Sequence, residues 1–124
     1  MTTTATLTTQ QVAAHFNELA QQEKWFEIQE AFFADNVKSI EPATAKYLTN
    51  AAGKANVRKK GKDWVAKIEA FHSGSTTEPI VSNSHFVVGR KMDVTVQGIG
   101  RVQFDQIMLY EVKDGQIVLE QFFY

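Results

Sequence analysis

The sequence predicts an α+β domain in which helices come first and an antiparallel sheet closes the chain. Three observations predict it. Apolar residues recur at helical spacing through residues 9–34 and again through 61–72. From residue 84 onward they alternate instead, as strands do. Gly98, Gly100 and the pair Asp114-Gly115 punctuate that alternating half as turns. Helices followed by a meander indicate a sheet with helices packed on one face, not repeated βαβ units.

The elements follow in order. Residues 1–7 carry no pattern and are expected to be unstructured. Thr8 or Thr9 suits an N-cap, and Val12, Phe16 and Leu19 then share a stripe, predicting a helix over 9–22. A second helix is expected over 23–34, with Trp25, Ile28 and Phe32 on one face and Phe26 and Phe33 widening it. Asp35-Asn36 breaks it, and Val37–Glu41 alternates as a short strand ended by Pro42. Residues 43–60 read as a long connection rich in Lys and Arg, and a solvated loop is the plainer reading of such a run. A third helix is expected over 61–72 with Trp64, Ile68 and Phe71 on one side. Segment 75–81 is a weak strand, and 84–97, 101–112 and 116–124 are firm ones.

The last hairpin has a consequence for assembly. A three-residue turn, Lys113-Asp114-Gly115, pairs Val112 with Gln116. Phe104, Met108, Tyr110 and Val112 then share a face with Val118, Glu120, Phe122 and Tyr124. The opposite face holds Ile107, Leu109, Ile117, Leu119 and Phe123. Helices can cover one apolar face; a second copy of the chain would cover the other, which predicts a homodimer through the outer sheet face.

Composition bounds the rest. The chain has 124 residues, so one domain spanning 1–124 is expected. Thirteen basic residues face fourteen acidic ones, which argues against a dedicated nucleic-acid binder. There is no cysteine, which excludes disulfides, thiolate metal sites and cysteine nucleophiles. His15, His72 and His85 lack ligand spacing, so no metal is expected; His72 is placed at a helix C-terminus. No apolar run is long enough for a membrane span, and the Thr-rich start is no signal peptide, which predicts a cytoplasmic location. Nine Phe, two Trp and three Tyr supply rings for a core and for the walls of an apolar pocket.

Phe33-Ala34-Asp35-Asn36, Ser39-Ile40-Glu41-Pro42, Met92-Asp93-Val94-Thr95, Val112–Val118 and Gln121-Phe122-Phe123-Tyr124 occur in an order that resembles the nuclear transport factor 2-like superfamily, in its SnoaL-like branch. The resemblance implies a cone: a curved antiparallel sheet around three helices, with a pocket at the open end and pairing through the sheet. It also implies a spread of activities, from ketosteroid isomerases and polyketide cyclases to dehydratases. Fold alone therefore does not assign one. Glu41-Pro42 falls where ketosteroid isomerases place a carboxylate base. Their oxyanion donors would fall near Asn17 and at Met108, and a thioether cannot donate.

Glu41 and Glu120 are thus the catalytic candidates. Among rings, Glu41 would be a desolvated base or acid; the plainer alternative is a carboxylate bonded to a nearby amide. Glu120 shares a face with Met108 and Tyr110 in this register, and another register would turn it to solvent. Arg90 stands out of pattern on an apolar face: it could neutralise either carboxylate, hold an anionic ligand, or snorkel at an edge. Trp25, Trp64, Arg90, Met108, Tyr110 and Phe122 are the expected ligand contacts. Two functions stay open ahead of a third, a pairing domain whose pocket is vestigial. One is a cofactor-free isomerase, cyclase or dehydratase acting on a small hydrophobic carbonyl compound. The other is a non-catalytic binding module for a lipophilic molecule.

Overall fold

The first helix, α1 (Thr9–Ala20), begins where a reciprocal cap fixes it. Thr8 Oγ1 accepts from the Gln11 backbone N–H at 3.1 Å, and the Gln11 side chain accepts from the Thr8 N–H at 2.9 Å. Val12, Ala13, Phe16 and Ala20 form its buried stripe. The computed structural model describes residues 6–124, so most of the expected unstructured start lies outside the described residues. Leu7 already packs against the core.

Helix α2 (Trp25–Phe32) stops two residues before the expected break. Strand β1 (Phe33–Ile40) starts at once, because Phe33 pairs with Ile117 and both side chains are buried. Asp35 and Asn36 fall instead within a register shift inside that strand. Strand β2 (Ala51–Ala52) pairs with β1.

Helix α3 (Lys54–Lys67) overturns the expected connection over 43–60 and the expected helix over 61–72. Gly53, at φ +90°, makes the turn into it. Its N–H donates to the Val37 carbonyl at 2.7 Å, and its own carbonyl accepts from Val57 at 2.9 Å. The basic run 54–62 is therefore helical. The helix ends early because Ile68 pairs with Val96 in strand β3 (Ile68–Thr76). Phe71 and His72 are strand residues, and the helix-end placement of His72 does not hold.

Strands β4 (Ile80–Val81), β5 (His85–Val96), β6 (Gly100–Lys113) and β7 (Gln116–Phe123) complete the chain. The final turn has two residues, not three. Asp114 and Gly115 both have positive φ, and Lys113 pairs with Gln116. That turn alone would invert the faces of β7. A bulge corrects it: Val112 pairs with Ile117, Glu111 pairs with Leu119, and Val118 is the extra residue. Ile117 is consequently buried inside, contrary to expectation, while Glu120 and Phe122 face inward as expected.

The sheet runs β2-β1-β7-β6-β5-β3, with β4 attached to β5. It is mixed, since β1 and β7 pair in parallel; the expected purely antiparallel sheet does not hold there. Five gaps of about 4.8 Å would put its edges roughly 24 Å apart if it were flat. Helix α3, 14 residues and about 21 Å long, follows β2 at one edge and runs directly into β3 at the other, so it spans the sheet. The fold is α+β, three helices held by an unclosed seven-stranded sheet. Among the described residues, no helix is long and apolar enough to cross a membrane.

Candidate functional site

A cavity of about 560 Å³ lies between the helices and the inner sheet face. Both expected carboxylates, Glu41 and Glu120, line it. So do the six expected contacts Trp25, Trp64, Arg90, Met108, Tyr110 and Phe122. The rest of the lining is mostly apolar. Trp64 meets Phe104 edge-on, with ring centroids 5.5 Å apart, and Phe104 meets Tyr124 at 6.1 Å.

One wall carries a polar network. Ser39, at the end of β1, donates to Glu120 Oε2 at 2.7 Å. Lys60, on α3, donates to Ser39 Oγ at 2.8 Å and to Glu41 Oε2 at 2.5 Å. The Tyr124 hydroxyl donates to Glu41 Oε1 at 2.5 Å. Tyr110 reaches Glu120 Oε1 at 3.5 Å. The Glu41 backbone N–H donates to Asn50 Oδ1 at 2.7 Å and fixes the turn after β1. Glu41 and Glu120 are each only 8% exposed.

The far wall holds a second charge pair. Arg90, 6% exposed, forks onto Glu23 at 2.7 and 3.1 Å and donates to Thr76 at 3.1 Å. Its guanidinium lies 4.6 Å from the Trp25 ring centroid, and Trp25 Nε1 donates to Glu23 at 2.9 Å. Arg90 therefore neutralises neither Glu41 nor Glu120, and it does not snorkel. Its partner comes from the α1–α2 connection, where Glu23 sits at φ +58°.

The family called SnoaL-like domain matches residues 7–124. The chain belongs to this family. A Mesorhizobium loti protein provisionally named a SnoaL-like polyketide cyclase superposes with a TM-score of 0.88 at 34% identity, covering 95% of this chain and 100% of that one. A Catenulispora acidiphila protein of ketosteroid isomerase-like fold, solved with trimethylamine, is 14% identical with a TM-score of 0.69, over 94% and 87% of the two chains. An M. tuberculosis LEH-like epoxide hydrolase is 18% identical with a TM-score of 0.63, over 90% and 77%. These last two share the fold. The comparison with curated proteins returned no match.

In this SnoaL-like domain the electrostatics follow from burial. Burial raises the Glu120 carboxyl above the usual glutamate value, against the pull of the Ser39 bond and the Lys60 charge. Burial and the adjacent Glu120 charge hold the Tyr110 phenol well above its usual range. Burial, and then the bond to Glu41, raises the Tyr124 phenol too. On the far wall burial works to raise Glu23, but the Arg90 and Trp25 bonds and the Arg90 charge outweigh it and lower the carboxyl.

The two polar networks of the SnoaL-like site use Ser39, Lys60, Tyr124 and Glu23, which the sequence reading did not select as site residues. A signal existed for Lys60. Cavity-lining Val57, Gly61, Trp64 and Val65 put it on the apolar stripe of α3, where a charge is out of place. Among the described residues, no cluster of three His, Asp or Glu side chains could hold a metal.

Proposed function

We propose that this SnoaL-like domain is an acid–base enzyme that moves a proton on a small hydrophobic carbonyl compound, in the manner of an isomerase, cyclase or dehydratase. One observation carries the reading: two buried carboxyl groups lie in one apolar cavity, joined through Lys60 and Ser39. Their surroundings differ. Glu41 is salt-bridged to Lys60, whereas Glu120 has no cation in direct contact and burial raises its carboxyl above the usual glutamate value. Unequal environments are what divide base from acid.

In the proposed step Glu41 takes the proton from the carbon beside the carbonyl. The C–H electron pair becomes the enolate double bond, and the carbonyl π pair moves to oxygen. Protonated Glu120 supplies a proton to the oxygen or to a different carbon. Returning the proton elsewhere is an isomerisation; losing a β-hydroxyl as water is a dehydration. The carboxyl groups suffice for either, without a cofactor.

The test is hydrogen–deuterium exchange beside the carbonyl of hydrophobic cyclic ketones in D₂O, followed by NMR. Wild-type protein is expected to accelerate exchange, and Glu41→Gln to slow it by about 10²-fold or more, the usual worth of a positioned base. Exchange that survives Glu41→Gln removes Glu41 from the reaction. Ketones that bind without exchanging would favour a non-catalytic binding module. That second reading has its own support: Met108 stands where an acid donor would be, and Lys60 and Arg90 are already paired.

We also propose a homodimer through the outer sheet face. Ile107 and Phe123 lie opposite each other across β6 and β7, 47% and 46% exposed. Ile107 also neighbours Gly89, which leaves a bare strip of apolar surface. Sedimentation at micromolar concentration is expected to give a dimer, and Phe123→Glu with Ile107→Lys a folded monomer. A wild-type monomer would contradict the assembly.

A further inference from the structure

Among the described residues Lys60 is the one ammonium group in the wall of the cavity, and the proposed proton transfer leaves it only a bridging part. Its position is set by α3. Val57, Lys60, Gly61, Trp64 and Val65 repeat at three- and four-residue spacing, so a single stripe faces the cavity. The side chain is 13% exposed. An ammonium carries three N–H donors and no acceptor. Ser39 Oγ takes one at 2.8 Å and Glu41 Oε2 another at 2.5 Å. Among the described residues nothing accepts the third. Nζ lies over the ring of Phe122, 5.3 Å from its centroid, and that ring also lines the cavity.

We infer that Lys60 receives the carbonyl oxygen of the ligand on its third N–H. This rests on the reading that the cavity takes carbonyl compounds, and it states which atom of them is held and by what. The bonding partner must be an acceptor, because the free group is a donor. It must also be neutral when it binds. The Glu41 carboxylate already pairs with this ammonium, so an anionic ligand would add a second negative charge to a wall with one cation.

Position agrees with reaction. A carbonyl oxygen and the proton-bearing carbon beside it are separated by one atom, so electrophile and base must be neighbours. Lys60 and Glu41 are in contact. Negative charge that develops on the oxygen as Glu41 removes the proton falls next to a fixed cation in a low-dielectric site, where such stabilisation is greatest. Lys60 thereby fills the role left open where Met108 offers a thioether instead of a donor.

The experiment pairs 2-acetonaphthone with 2-ethylnaphthalene, which matches its shape but lacks the oxygen. Binding is followed by quenching of Trp25 and Trp64 fluorescence. Wild-type protein is expected to bind the ketone about tenfold more tightly or better, the worth of a charged hydrogen bond. Carbonyl-13C ketone, read by infrared difference, is expected to show a lowered carbonyl stretch when bound. Lys60→Met is expected to erase both the affinity ratio and the shift while leaving the hydrocarbon's affinity within about twofold. Lys60→Gln, which keeps neutral N–H donors beside Glu41, is expected to give an intermediate shift and covers the case in which Lys60→Met fails to fold. Equal affinity for the two compounds, binding of neither, or a stretch unchanged between wild type and a folded variant overturns the inference. Absent ketone exchange with the infrared shift intact would remove the enzyme reading and leave Lys60 in place. Exchange that persists without any shift would do the reverse.

Discussion

Phe16→Ala is expected to lower the unfolding free energy by about 3–5 kcal/mol, the range for removing a buried ring. Phe16 has no exposed surface. Its ring centroid lies 4.7 Å from Tyr110, 5.0 Å from Phe86 and 5.8 Å from Trp25. Phe86 and Tyr110 also stack on each other at 5.1 Å, so the rings cannot collapse independently into the space. Phe16 forms part of the cavity wall as well, and the hole would open onto existing empty volume. The measurement is a shift of the urea midpoint at unchanged slope. Phe123→Ala is the contrast: with 46% of its surface already exposed, it is expected to cost the isolated subunit under about 1 kcal/mol. Equal losses for the two would mean that the α1 ring cluster is not the anchor of the core.

The same cluster shows why some elements could be read from residues alone. Helix α1 carries a cap, a periodic stripe and no competing signal, and its start is observed one residue after Thr8. Strands β5 and β6 alternate over twelve and fourteen residues, long enough that no helix competes. Ambiguity begins where tertiary pairing overrides local preference. Phe33 and Ala34 continue a helical stripe, yet Phe33 is claimed by Ile117 more than eighty residues later. Likewise Ile68 and Phe71 keep helical spacing with Trp64 and are strand residues, because β5 supplies their backbone partners. Periodicity reports which side chains are apolar, and says nothing of which backbone is free to pair.

The candidate site divides along the same line. Glu41, Glu120 and the ring-bearing wall could be selected because a carboxylate or a large ring on an inward face is legible in one segment. Glu120 illustrates the margin: the anticipated turn had the wrong length, and a bulge at Val118 returned the side chain to the inside. Partners are different. Ser39 with Glu120, Lys60 with Glu41, Tyr124 with Glu41 and Arg90 with Glu23 are separated by 81, 19, 83 and 67 residues. Such pairings exist only once the sheet has formed and α3 has been placed. Lys60 was hidden for a further reason: with Arg58, Lys59 and Lys62 beside it, the run looks like a solvated surface until the helical phase is known.

Stability is expected to fall as pH rises through the range in which Glu120 ionises, and Glu120→Gln is expected to remove that dependence. The sign follows from proton binding. Burial raises the Glu120 carboxyl in the folded protein above its value in the unfolded chain. Between those two values the folded state holds a proton that the unfolded state has lost, so raising pH favours unfolding. The contribution is fully present below the ordinary glutamate value and is lost as pH passes the raised one. Each unit of separation is worth about 1.4 kcal/mol. Glu23 acts in the opposite direction and in a different range: its lowered carboxyl protects the fold above the ordinary value and is lost only in stronger acid. Thermal midpoints measured from mildly acidic to mildly alkaline pH therefore isolate Glu120. In Glu120→Gln the amide oxygen can accept from Ser39 and the amide nitrogen can donate to the Tyr110 hydroxyl oxygen, so the variant removes the titration while keeping a partner at both positions. Parallel slopes in wild type and variant would mean that Glu120 is ionised throughout. Its part as the proton donor beside Glu41 would then fail along with the pH effect.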